Sequence, residues 1–244
     1  MIEFDLATPW HFLAFCLAVT MAGFVRGFAG FAGPATASLI LSQIFAPAQL
    51  LPKIIVLDFY AYPLLVRNIQ STADWRTSLP MAVATIVMIP FGVHVMQVVE
   101  PATLKRMIGV ACLAAIGISM SGFRFKRMPP WWMNVSAAMA LGFVMSATFI
   151  ALPIMTYFFL LPLRDAVCRA TAISYSVTII PFLGLWLGFR DIISLGDLPP
   201  VAMAGAVYFG MIYLGGKVFA RVGAAHYRRV VQWVLVTLSA SVLI

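Results

Sequence analysis

Charge is the scarcest commodity in this chain. Only 10% of its 244 residues are Asp, Glu, Lys or Arg, against about a quarter in a soluble domain. The three histidines, His11, His94 and His226, stand far apart, with no His-Glu-x-x-His pair to hold zinc. No two carboxylates share a helical face inside an apolar stretch, so paired acid–base catalysis has no candidates. No glycine-rich loop ends in Gly-Lys-Ser/Thr, which removes ATP hydrolysis. The expectation is a protein that is not an enzyme and carries no cofactor. Cysteine is equally sparse, and Cys16, Cys112 and Cys168 lie within or beside apolar segments without metal-like spacing, as small packing residues do. The N-terminus lacks the basic start of a signal peptide, since Met1 to Asp5 is acidic, so the first apolar stretch is expected to remain as a helix.

What is abundant is apolar surface. Hydrophobic residues make up 63% of the chain and mean hydropathy is +1.00, more than a soluble fold of this size can hide. They run in blocks of 15 to 20 from Trp10 nearly to Ile244, and about 20 such residues carry a helix across the hydrocarbon core. The class is therefore all-α, a polytopic membrane protein with the lipid bilayer as its main partner. A net charge of +8 would suggest nucleic acid in a soluble protein, but here the Lys and Arg residues sit mostly in short loops, as membrane topology requires. Nucleic-acid binding is not expected.

Breaks at Pro, Gly and charge clusters set ten segments, at about 10–30, 33–50, 53–67, 78–98, 104–122, 132–150, 153–163, 167–189, 199–219 and 227–244. Those at 33–50 and 153–163 are short or interrupted and follow Gly-rich or Pro turns, which suits half-helices or re-entrant hairpins. Eight full spans is the rival count. An internal repeat runs through the segments. At an offset of 119, Gly23-Phe24-Val25 falls on Gly142-Phe143-Val144 and Pro34 on Pro153. At 123, Asp74 falls on Asp197, Lys105-Arg106 on Arg228-Arg229, Gly92 on Gly215 and His94 on Lys217. With ten crossings the loop cations divide 11 to 4 between the two membrane faces, and with eight they divide 9 to 6. The positive-inside rule favours ten, with both termini outside. Each half then has five segments, an odd number, so the halves are inverted relative to each other. The expectation is a single membrane domain over 1–244, with repeat 1 at about 10–122 and repeat 2 at about 132–244. Inverted repeats with broken helices are a common transporter plan, the substrate lying between them near the midplane.

The run Gly23-Phe24-Val25-Arg26-Gly27-Phe28-Ala29-Gly30-Phe31-Ala32-Gly33 resembles the glycine-rich first motif of the sulfite exporter TauE/SafE family, also called the 4-toluene sulfonate uptake permease family. Its partner motif is similar to Leu152-Pro153-Ile154-Met155-Thr156-Tyr157, followed by Leu161-Pro162 and Arg169-Ala170-Thr171, and the ending Gly215-Gly216, Arg221, Arg228-Arg229 also fits. The likeness spans most of the chain. Two departures stand out: Ser146 to Leu152 replaces most of the glycines before the second Pro, and Ala32 stands where glycine is frequent. The resemblance implies a permease or exporter in a bacterial inner membrane for sulfite, a sulfonate or a related small organic anion, and leaves a homodimer open. A membrane-embedded assembly or structural protein without transport activity is the alternative.

Candidate site residues follow from buried polarity. Glycines 23, 27, 30 and 33 line one helix face, which close packing alone explains. A break there also frees N–H groups, and a helix starting near Gly33-Pro34 points its positive end at an anion. Arg26 lies some 16 residues into an apolar segment with no acidic neighbour within ten positions. At that depth it costs about 2.5–3.5 kcal/mol on insertion scales and needs a partner: an anionic substrate, Asp58, or the membrane surface by snorkelling. Asp58 is the one acidic residue well inside an apolar segment, suited to proton coupling if it titrates and to structure if it pairs with Arg26 or Lys53. Arg169 is read as an anion ligand or a topogenic charge, and Tyr157 as a hydroxyl donor to an oxoanion or a core residue. His94 and Lys217 lie at segment ends, where snorkelling competes with a site role. Thr171, Ser174, Ser176 and Thr178 form a hydroxyl stripe that either faces a ligand or satisfies carbonyls of its own helix. The expected binding set is Arg26, Gly30, Gly33, Pro153, Tyr157 and Arg169, with Asp58 for protons. Trp131-Trp132 beside Arg124, Lys126 and Arg127 is an interfacial anchor.

Overall fold

A computed structural model describes residues 8–30, 33–41, 45, 47–67, 69, 72–148, 150–189 and 198–222. Every element among them is helical: α1 (Pro9–Ala29), α2 (Gly33–Leu41), α3 (Pro47–Arg67), α4 (Trp75–Val98), α5 (Pro101–Met120), α6 (Trp131–Thr148), α7 (Leu152–Leu160), α8 (Asp165–Phe189) and α9 (Leu198–Val222). Among the described residues, four helices are long and apolar enough to cross a membrane on that criterion: Pro9–Phe28, Trp75–Val98, Asp165–Phe189 and Val201–Arg221. The tenth expected segment, 227–244, lies outside the described residues.

Local chemistry sets the boundaries. Pro9 opens α1, where the missing N–H costs nothing. Gly30 ends it in the left-handed region at φ 93°, its N–H donating to the Arg26 carbonyl at 2.8 Å. Asp74 caps α4, accepting from the Arg76 N–H at 3.2 Å and the Thr77 hydroxyl at 2.7 Å. The two short segments are the 9-residue helices α2 and α7. The expected segment 33–50 needs correction: α2 stops at Leu41 and α3 starts at Pro47, so Lys53 lies inside α3 rather than between two segments. Pro52 is the sixth residue of α3, past the first turn, and the helix runs through it at the loss of one backbone hydrogen bond.

Packing alternates between the halves of the sequence. α1 lies along α9 and α4 along α6, while α8 packs on α3 and α4, and α3 on α9. Glycines bring these backbones together. A Cβ on Gly23 would meet the Tyr208 carbonyl oxygen at 2.8 Å, one on Gly142 the Thr85 Cβ at 2.8 Å, and one on Gly92 the Ser146 Cβ at 2.7 Å. Two buried clusters result. One gathers α1, α2, α3, α9 and part of α8 around Phe15, Leu57 and Tyr208, and the other gathers α4, α6, α7 and α8, with Phe28, Ala35 and Ile55 from the first three helices, around Met81, Phe158 and Tyr175.

Candidate functional site

Arg26 is 2% exposed, in the last turn of α1. Its position suits the negative end of the helix dipole, and its Nη1 donates to the Gly30 carbonyl at 3.1 Å. Nη2 donates to Asp58 Oδ2 at 2.9 Å, forming a buried ion pair between α1 and α3. The other carboxylate oxygen, Oδ1, accepts from the Tyr208 hydroxyl of α9, also at 2.9 Å. Three helices thus meet at one charged node. Gly33 makes room for it, because a Cβ there would strike the Tyr208 hydroxyl and lie 2.7 Å from the Arg26 Cβ. The buried Nε of Arg26 has no hydrogen-bond partner among the described residues.

This node forms part of the wall of a cavity of about 70 Å³. Arg26, Pro34, Ile55 and Asp58 contribute from the first half, and Met145, Ala151, Met155, Tyr175, Ser176, Ile179, Ile180 and Leu183 from the second. An apolar cavity of about 150 Å³ takes benzene, so in proportion this one of about 70 Å³ has room for roughly three heavy atoms, and a four-atom oxoanion needs it to widen slightly. Its largely apolar wall strengthens any charge interaction inside it.

The sequence of the sulfite exporter TauE/SafE family matches residues 15–242. The chain belongs to that family. No curated protein and no solved structure matches it. Membership in the TauE/SafE family implies a membrane transporter of sulfur-containing anions.

Within this TauE/SafE chain the anticipated site residues divide. Arg26, Gly33 and Asp58 come together at the node, and the second break supplies Ala151 and Met155 to the same cavity, next to Pro153 at the start of α7. Gly30 holds the turn, with Ile173 and Arg169 packed against it. Arg169 lies elsewhere: its Nη2 and Nε donate to the Gly27 and Phe28 carbonyls at 2.8 and 3.4 Å, and its guanidinium stacks 4.3 Å from the Phe219 ring centre. It staples α8 and α9 to the end of α1. The Tyr157 hydroxyl donates to Asn134 at 2.7 Å, away from the cavity wall. His94 and Lys217 are exposed, Lys217 lying over the Tyr213 ring.

The hydroxyl stripe satisfies its own helix: Thr171, Ser174, Ser176 and Thr178 donate to the carbonyls of Val167, Thr171, Ala172 and Ser174. Only Ser176 among the four also lines the cavity. Ser174 additionally reaches Ser78 on α4, and the Tyr175 hydroxyl pairs with Thr85 at 2.8 Å. Sequence reasoning missed Tyr208 and Tyr175, since a tyrosine inside an apolar run carries no signal by itself. The repeat held one clue: at the offset of 123, Tyr208 falls on Thr85, and both are polar residues on close-packed faces.

Proposed function

We propose that this chain is a secondary transporter that carries a small sulfur oxoanion, sulfite or a compact sulfonate, through the cavity at Arg26, driven by a proton gradient through Asp58. The observation that carries the reading is a guanidinium 2% exposed, facing a cavity walled by both halves of the chain, with one buried N–H unpartnered. Arginine so deep needs a strong compensating partner. An anion supplies charge-assisted hydrogen bonds that neutral residues do not.

Alternating access by two inverted five-segment halves completes the proposal. What supports it is a set of contacts related by the repeat. Gly23 abuts Tyr208, and Gly142 abuts Thr85, positions that match at offsets of 119 and 123. Gly215 packs on Gly27, and Gly92 packs on Ser146, again matching pairs. Arg26 falls on Met145 and Ala32 on Ala151 at 119, and Arg26, Met145 and Ala151 all line the cavity. The site is therefore charged on one half and neutral on the other. The exposed cations Arg76, Arg124, Lys126, Arg127, Arg164 and Arg221 support a cytoplasmic face for those loops in a bacterial inner membrane, with both termini outside.

The test is flux of sulfite and several sulfonates into vesicles containing the purified protein. Arg26→Ala abolishes uptake, and Arg26→Lys, which keeps the charge but loses the planar fork, weakens it about tenfold or more. A folded Arg26→Ala protein that transports normally refutes the site, and no flux of any small anion by the wild type refutes the function and favours an assembly role.

A further inference from the structure

The guanidinium that would hold an anion already holds one: the carboxylate of Asp58, at 2.9 Å, occupies its Nη2. Resting on the transport reading above, we infer that Asp58 is a built-in surrogate for the substrate. The transported anion and the Asp58 carboxylate compete for Arg26, and Tyr208 is the positioning residue that keeps the carboxylate in the contest.

The argument is one of charge. In the resting node Arg26 and Asp58 sum to zero, and both are buried, at 2% and 3% exposed. Adding a monoanion while Asp58 stays ionised leaves a net negative charge in an apolar cavity, which is strongly unfavourable without a compensating charge. A proton from bulk water placed on an Asp58 oxygen restores neutrality: Arg26 pairs with the anion, and the carboxyl group is neutral. One proton therefore accompanies each negative charge that binds. The titratable groups facing Asp58 are Arg26 from α1 and Tyr208 from α9, with Tyr175 of α8 on the cavity wall, and α2 carries none. Among the described residues no second carboxylate lines the cavity to take the proton instead.

Tyr208 acts on the ionised form. Its hydroxyl donates to Oδ1, stabilising the carboxylate against both protonation and displacement. The repeat-equivalent Thr85 bonds to the neutral Tyr175, so the device exists on one half alone. After displacement, the same Tyr208 oxygen accepts a hydrogen bond from the protonated Asp58. The residue thus sets how readily the internal ion yields to the external one.

The experiment measures methanesulfonate and sulfite binding to the purified protein by calorimetry in weakly buffered detergent, with proton uptake read from a pH indicator. Methanesulfonate stays ionised throughout and so contributes no proton of its own. Wild-type protein takes up about one proton per methanesulfonate bound, and affinity rises up to about tenfold for each unit the pH falls. Asp58→Asn binds at least as tightly, takes up no proton and is insensitive to pH. Tyr208→Phe, which loses a donor to the carboxylate, binds about tenfold more tightly at neutral pH and still takes up a proton. Anion binding to wild type without proton uptake overturns the exchange, and with it proton coupling at Asp58, while leaving anion passage through the Arg26 cavity intact, and this arm needs no variant to fold. Failure of wild type to bind either anion overturns both.

Discussion

Replacing Gly27 by Ala tests whether the α1–α9 contact holds the charged node together. An added Cβ at this position would strike the Ile212 carbonyl oxygen and lie 2.7 Å from its carbonyl carbon and 2.8 Å from its Cα, where ordinary contact begins at 3.4 Å, so the two helices must part by at least about 0.7 Å. The obstacle is backbone, which has no rotamer to turn away. Overpacking of this kind costs about 1–3 kcal/mol. Arg26 is the next residue on α1, and Tyr208 is one turn from Ile212 on α9. A separation of 0.7 Å stretches one of the node's two 2.9 Å bonds beyond the useful range of about 3.2 Å. The control is Gly210→Ala on α9, where a Cβ meets nothing within 4 Å and removing glycine from a helix gains about 0.5–1 kcal/mol. Thermal unfolding in detergent, followed by circular dichroism, should place Gly27→Ala about 2–12 °C below wild type and Gly210→Ala at or slightly above it. Weaker anion binding accompanies the first substitution and not the second. If both variants melt together and bind alike, the close approach of α1 and α9 does not organise the site.

Two further outcomes follow from the contacts around the breaks. Arg169→Ala loses two bonds to α1 carbonyls and the stack on Phe219 and should cost about 2–3 kcal/mol in unfolding stability, with Arg169→Lys recovering less than half because it lacks the flat fork; full stability of the alanine variant argues against the staple. Tyr157→Phe removes only the bond to Asn134, so it should lower stability by about 1 kcal/mol and leave anion affinity unchanged, and a large loss of affinity by titration would return Tyr157 to the binding set.

How far the sequence could be read depended on whether a property was local. Pro9 and Gly30 act within one turn of themselves, and the ends of α1 that they mark were legible, whereas α4 starts at Trp75 behind its cap Asp74, three residues before the expected 78. The break between α2 and α3 was misplaced, because Pro52 reads as a breaker in isolation yet α3 runs through it. The hydroxyl stripe was ambiguous for a different reason. Ser176 and Thr178 have the same local bond to their own helix, and only the neighbouring elements give Ser176 alone a place on the cavity.

The sequence by itself determined that the chain lives in a membrane, that it is helical, that it belongs with the TauE/SafE transporters, and that Arg26 must either find a partner or snorkel to the surface. Each rests on transfer free energy or motif spacing, which are sums over neighbouring residues. Tertiary structure alone decided which partner Arg26 takes. Asp58 lies 32 residues away in the chain, and Tyr208 is 150 residues beyond Asp58. It likewise decided that Arg169 serves backbone carbonyls while Met145, Met155 and Tyr175 complete the cavity. Hydrogen bonds and cavity walls depend on distances between helices to within a few tenths of an ångström. Those distances follow from how glycines at positions 23, 27, 92, 142 and 215 let the helices nest together, which no single segment encodes.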